Sequence, residues 1–260
     1  MYRFLLTPRW LGLACVVVLL AAVAVLLGKW QFDRLDERRV TNATTEANLA
    51  ADPVPVDELL SAGDSLDADL EWRVVTASGR YDADAELFVR NQSRDDIGPG
   101  STVVVPLVTD SGEAVLVERG WVSTAGSPTQ LPDVTPAPTG QVTVTGWLRQ
   151  DSTADAGATV PVDGAVRAID STAIGEALDR ALLPGYVALT FQTPPADGQL
   201  QPPEEPDLGQ GPHFFYGLQW WFFAVLAVAG YLWFAWAEAH PKQRPERAER
   251  PAHPPVASAP

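Results

Sequence analysis

Hydrophobic positions fall into two regimes along this chain. Trp10 to Gly28 carries no charge over 19 positions, and Phe214 to Ala237 none over 24. A helix needs roughly 20 apolar residues to cross a ~30 Å hydrocarbon core, so both runs are long enough to span. Between them the chain is polar and its apolar residues recur at short intervals. The pattern predicts five segments: a tail at 1–9, a span at 10–28, a domain at 29–212, a second span at 213–237 and a tail at 238–260.

Within the middle segment the period changes. Residues 30–50 keep helical spacing, with Phe32 and Leu35 on one side, and this helical extension is expected to fray near Asp52-Pro53-Val54-Pro55. From Glu71 onward β-branched runs recur at Trp72–Thr76, Glu86–Arg90, Thr102–Val105, Ala114–Val117, Val142–Thr145 and Val187–Thr190, with Gly, Pro, Asp or Asn nearby. These predict strands. One helix is expected from about Ser171 to Leu183, where Ile174, Leu178 and Leu182 recur every four residues and Pro184-Gly185 marks the stop. The fold class that follows is a membrane protein with two transmembrane helices flanking an extracytoplasmic α+β domain. That domain is mostly antiparallel β, a small sheet or barrel, with one covering helix. Pro-rich stretches at 127–140 and 194–212 read as a loop and as the linker back to the membrane, and the tail after Pro241 as disordered.

Charge sets the orientation. Arg3 and Arg9 precede the first span, while Lys242, Arg244, Arg247 and Arg250 follow the second, which places both termini in the cytoplasm and residues 29–212 outside. Lys29, Arg34, Arg38 and Arg39 weaken that bias at the outer end, where Asp33, Asp36 and Glu37 are mixed among them. Residues 29–212 hold 12 basic and 30 acidic side chains, a balance that repels nucleic acid and anionic headgroups. The first run also has signal-peptide features, with Ala22-Val23-Ala24 resembling a cleavage site. It continues beyond the usual 7 to 15 apolar residues, so an uncleaved anchor is expected.

The residue inventory then excludes several kinds of chemistry. Cys15, the one cysteine, lies in the first span, so no intrachain disulfide forms. Residues 29–212 contain no His and no Cys, so neither a Ser-His nor a Cys-His pair can be assembled there. A non-enzyme is expected. The same segment lacks the thiolates and thioethers that select Cu(I). Asn42-Ala43-Thr44 and Asn91-Gln92-Ser93 match the glycosylation pattern, but only 2 Lys against 16 Arg suggests a GC-rich bacterial genome, where that pattern carries no weight.

Four separated segments carry a resemblance. Gly28-Lys29-Trp30-Gln31 with Arg34 closes the first span. Gly79-Arg80-Tyr81, Arg90-Asn91-Gln92, Gly98-Pro99-Gly100, Val105-Pro106-Leu107 and Val117-Glu118-Arg119-Gly120-Trp121-Val122 follow in that order. Gly146-Trp147-Leu148 comes next, and His213-Phe214-Phe215-Tyr216-Gly217-Leu218-Gln219-Trp220 opens the second span. Together they resemble the surfeit locus protein 1 family of cytochrome oxidase biogenesis factors. Pro212, where many members have Asn, and Gly217, where Ala is usual, depart from its pattern.

Membership would imply a bacterial plasma-membrane assembly factor for a haem-copper cytochrome c oxidase. Its implied partners are the oxidase core subunit and its assembly intermediates, with haem A synthase a further candidate and the lipid bilayer as surroundings. The resemblance also implies haem A as cofactor, held by His213. A haem-free scaffold is the alternative. Independently, haem iron takes His, Met, Cys or Tyr, and among the His, Met and Cys residues only His213 falls at the outer membrane surface.

If the second span is helical from 213, then His213, Tyr216, Gly217 and Trp220 share one face. Gly217 would let a flat macrocycle approach there. The ordinary account of the same residues is an interfacial aromatic belt, of which Trp220, Trp221, Trp233 and Trp236 are members. Gln31 and Gln219 would either hydrogen-bond between helices or orient a haem substituent. Arg34, one turn beyond Trp30, would pair with propionates or with a nearby carboxylate. Arg119 reads as half of a sheet-edge ion pair beside Glu118, with Trp121 in the core, and otherwise as a partner contact.

Overall fold

The computed structural model describes residues 2–95, 97–124, 131–196, 198 and 200–240. The tail after Pro241, part of the 127–140 loop and part of the 194–212 linker lie outside the described residues. The chain divides into two compact units, 1–38 with 210–260, and 39–209.

The first unit contains the two apolar helices, α1 (Pro8–Ala50), which runs on into the second unit, and a later one at His213–Ala239. Both are long and apolar enough to cross a membrane. At about 1.5 Å per residue, the 43 residues of α1 exceed what a ~30 Å core requires. Their mutual packing uses small residues. Along the later helix Gly217, Ala224 and Ala235 are buried, and His213, Trp220 and Ala227 are half-buried, at intervals of three or four up to Ala227. On α1 the matching set is Ala24, Gly28 and Leu35, with Gln31 and Phe32 half-buried.

The second unit is a β structure. Its elements in order are β1 (Val54–Pro55), α2 (Val56–Leu59), β2 (Val74–Tyr81), β3 (Leu87–Arg94), β4 (Gly98–Thr109), β5 (Ala114–Ser123), β6 (Val142–Arg149), α3 (Ala156–Thr159), β7 (Ala165–Val166), α4 (Ser171–Leu178) and β8 (Leu182–Thr193). The last helix of the chain, His213–Ala239, is therefore α5.

The sheet order is β1-β2-β6-β8-β5-β4-β3-β7, and a further β2–β4 pairing closes β2, β6, β8, β5 and β4 into a five-stranded barrel. Most pairs are antiparallel, while β5 and β8 run parallel, as do the short pairs β1–β2 and β3–β7. Closure leaves the barrel strands no free edge.

Alternation explains the sequence of β5. Val115 and Val117 face the barrel interior with Val75, Leu107, Val144, Leu148 and Val187, whereas Ala114 and Leu116 face a second cluster with Leu87, Val104, Ile169 and Ile174. Both faces are covered, so the strand is apolar without interruption until Glu118.

The helix expected over 171–183 is shorter than its spacing suggested. Asp170 caps its start by accepting from the Ala173 N–H at 2.9 Å, and it stops at Leu178 because Asp179 turns left-handed (φ 50°). Leu182 and Leu183 belong instead to β8 and are buried there. Pro184 and Gly185 sit inside that strand, where the β5–β8 register slips between Ala114 and Leu116, and Gly185 takes a φ of +77°. A bulge is one of the few strand positions that tolerates proline.

Candidate functional site

The residues named from sequence on the helix pair separate into a contact and a periphery. His213 opens α5 and Gln31 lies on α1, and the imidazole Nδ1 meets the amide Oε1 at 2.8 Å. An amide oxygen only accepts, so the contact suits the neutral tautomer with its hydrogen on Nδ1, in which the lone pair lies on Nε2. Metal-ligating histidines are set up in this way, by a partner that fixes tautomer and ring orientation through the other nitrogen. On the far edge of the ring, a Cβ on Gly211 would lie 3.4 Å from Nε2, and Gly211 holds a φ of +65° that disfavours any side chain. Nothing from that position crowds the lone pair.

Gly217 does not do what its place in the sequence suggested. A Cβ there would meet the ring of Phe32 at 2.8 Å, so the missing side chain admits Phe32 from α1 rather than a macrocycle. Gly28 serves the same purpose in the other direction, facing the indole of Trp221, whose Nε1 donates to the Val25 carbonyl at 3.4 Å. Phe32 and Trp221 then pack with ring centroids 4.8 Å apart. This ring-on-glycine packing was missed from sequence. The available signal was Ala24 and Gly28 at four-residue spacing in an apolar helix.

The remaining named residues lie around this core. Tyr216 and Gln219 are exposed, and Trp220 is half-buried against Phe223 at 6.0 Å. Trp30 is exposed and carries the Arg34 guanidinium 5.8 Å from its ring centre, while Arg34 also pairs with Glu37 at 2.7 Å. Gln31 therefore bridges to His213 rather than to Gln219, and Arg34 has a carboxylate partner on its own helix.

In the β unit Arg119 has a different partner from the expected one. It is the extra residue of a bulge between Val103 and Val104, and Gly120 beside it has a φ of +141°. Its guanidinium reaches Glu86 at 3.2 Å and donates to the carbonyls of Thr135 and Pro136 at 3.2 and 3.3 Å. The residue is only 6% exposed. Burial raises the Glu86 carboxyl above its usual range against the opposing pull of Arg119. Trp121 is in the core as expected, at 1% exposure, over Gly100.

Glu118 points the other way, into a cleft of about 440 Å³ that also contacts Arg94, Trp121, Arg149, Arg167 and Tyr186. Burial pushes the Glu118 carboxyl upward, opposed by Arg149 and Arg94, and pushes the Tyr186 phenol up to about 12. Sequence reasoning passed over this site. Its signal was a lone carboxylate continuing an apolar strand run.

A model of the SURF1 family matches residues 18–225. SURF1-like proteins of Mycobacterium tuberculosis and Mycobacterium bovis are each 33% identical over 258 residues, covering 97% of this chain and 93% of theirs. A cytochrome oxidase assembly protein of Saccharomyces cerevisiae, SHY1, is 31% identical over 119 residues, covering 44% of this chain and 30% of its own. A SURF1-like protein of Rickettsia bellii is 30% identical over 108 residues, 41% of this chain and 42% of its own.

Proposed function

Because the chain belongs to the SURF1 family, we propose that it is a bacterial plasma-membrane assembly factor for a haem-copper cytochrome c oxidase, and that it takes haem A on His213 before passing it to the core subunit. The yeast relative named for oxidase assembly supports the first half. The observation that carries the second half is the His213–Gln31 pair, which leaves Nε2 free for iron.

Other features of the residues fit such a group. One imidazole suffices for axial ligation, whereas no cluster of three or more His, Cys, Asp or Glu that would chelate a bare ion occurs among the described residues. Phe214, Phe215, Tyr216 and Trp30 are exposed at the same end of the pair and offer apolar area to a macrocycle. Gln31 holds the ring in one orientation, and Gly211 keeps the Nε2 edge clear. A single protein ligand also suits a carrier that must let go. When bound, haem supplies the iron and the porphyrin that the oxidase needs; this chain's own residues bind and orient.

In this reading the helices span the membrane, the termini are cytoplasmic and the acidic β unit lies outside, where its barrel gives the oxidase core and its intermediates a rigid surface. The contact that fills the space at Gly217 favours a scaffolding role for that part of α5.

Full-length protein purified from cells that make haem A should show a haem absorption spectrum that is lost in His213→Ala while the β unit still melts as in the wild type. An unchanged spectrum in that variant removes the assignment. Absence of haem at every stage, with the oxidase core still co-purifying, selects the haem-free scaffold instead.

A further inference from the structure

Among the described residues Glu118 is a little-exposed charge whose oxygens are not sealed in the core and so face the cleft. It is 8% exposed, yet among the described residues its carboxylate accepts no hydrogen bond and makes no ion pair. Burying a carboxylate unpaired costs several kcal/mol in general, so such groups are normally matched. The basic side chains around the cleft are already committed elsewhere. Arg149 is held by Glu71 at 2.8 Å and stacked 3.8 Å from the ring centre of Trp72. Arg94 reaches Glu204 at 3.4 Å and the Pro202 carbonyl at 2.9 Å, over Trp121. Arg167 donates to the Gly157 carbonyl at 2.8 Å and is exposed.

This arrangement is built rather than accidental. Trp72 holds a φ of 67°, a left-handed conformation that is an outlier for a bulky residue. Its strained backbone N–H is tied to the Leu148 carbonyl at 2.8 Å, which places the ring under Arg149. Local strain thus goes with the fixing of Arg149 against Glu71, from where its charge still acts on Glu118 across the cleft.

The charge pattern decides what the cleft accepts. With Arg149 matched by Glu71 and Arg94 by Glu204, the charges left over are the inner carboxylate of Glu118 and the exposed Arg167, in a segment with 12 basic and 30 acidic residues. An anion would face that buried carboxylate and the field of the whole segment. A cation would satisfy both. The cleft's 440 Å³ lies within the ~300–1,000 Å³ typical of ligand sites. The half-buried Tyr186 in its wall suits the aliphatic stem of a long basic side chain.

We infer that this cleft receives the guanidinium or ammonium of an Arg or Lys presented by a loop of a partner protein, with Glu118 as the group that pairs with it. The inference is independent of haem, since every residue it uses lies in the 39–209 unit.

The test uses full-length protein in lipid nanodiscs and ligand-observed NMR titration with the capped tripeptide Gly-Arg-Gly, its Lys counterpart and the neutral citrulline counterpart. The Arg or Lys peptide should bind and the citrulline peptide should not. Glu118→Gln should weaken binding by about 30-fold or more, as loss of one member of a desolvated charge pair does. Its melting temperature should be unchanged or raised, because the unpaired charge is gone.

Arg167→Ala removes a like charge from the rim without touching Glu118 and should tighten binding about threefold. It decides the matter if Glu118→Gln fails to fold. Citrulline binding as well as arginine, binding that survives Glu118→Gln, no tightening in Arg167→Ala, or no binding of either basic peptide would each overturn the inference.

Discussion

The helix pair and the β unit both seat a large aromatic ring on a glycine, and they depend on it to different degrees. In the β unit Trp121 lies over Gly100 among strands whose Val75, Val103, Val115, Leu148 and Val187 are fully buried in separate core clusters. In the helix pair Phe32 on Gly217 and Trp221 on Gly28 make up much of the contact, and most other apolar side chains point outward. Lipid is as apolar as those side chains, so it supplies no hydrophobic drive for the helices to meet. Close approach and a few polar contacts, His213 with Gln31 and the Trp221 indole with the Val25 carbonyl, must do so. The barrel has redundancy where the helix pair has a few essential contacts.

The largest effect should come from the Arg119–Glu86 ion pair, whose arginine is deeply buried. Arg119→Ala strips Glu86 and two carbonyls of their partner and should destabilise the β unit by about 3–5 kcal/mol in denaturant melts. A loss under ~1 kcal/mol would mean that the pair is dispensable and the comparison drawn too sharply.

Gly217→Leu should cost about 1–3 kcal/mol of helix association, because a side chain there would overlap the Phe32 ring and force it to shift. A spin label on the native Cys15, paired with one at Val228→Cys, should give a broader distance distribution in this variant while the β unit's melt is unchanged. Equal loss in both regions would join what the comparison separates.

Gln31→Leu frees the His213 tautomer and should lower affinity for haem about 10–100-fold in a spectroscopic titration, without the complete loss expected of His213→Ala. Full retention would reduce Gln31 to a packing residue.

The smallest effect concerns pH. The folded Glu118 carboxyl sits above its ordinary 4.5, so between 4.5 and its folded value the native state holds more protons than the unfolded chain. Stability from this group is therefore greatest in acid, falls as pH rises through that window and is constant above it. Glu118→Gln should flatten that part of the profile, and a profile with the same slope would place the charge elsewhere.

Much of the fold could be read from local pattern. All six expected β-branched runs fall on strands, although Trp72, Arg73 and Glu86 lie just ahead of theirs, because alternation and β-branching are properties of single segments. The error at 171–183 is instructive for the same reason. Leu178 and Leu182 keep helical spacing, but one left-handed Asp179 and the pairing of Leu182 with Ala114 override it. Ion-pair partners were less legible. Arg119 was assigned to its neighbour Glu118, whereas adjacent strand residues face opposite sides and the bulge carried Arg119 to Glu86, 33 positions away.

The sequence by itself determined two spanning-length apolar helices, an acidic β-rich segment between them, and a single histidine at the head of the second helix, since hydropathy, net charge and residue type are sums over the chain. Tertiary structure decided that β2 closes on β4, that Gln31 rather than Gln219 meets His213, that Phe32 fills the space at Gly217, and that Glu118 faces a cleft it shares with Arg94, Arg149 and Arg167. Each of these is a meeting of residues far apart in sequence, selected by packing and by the need to match buried polar groups, and no local pattern records which partner is chosen.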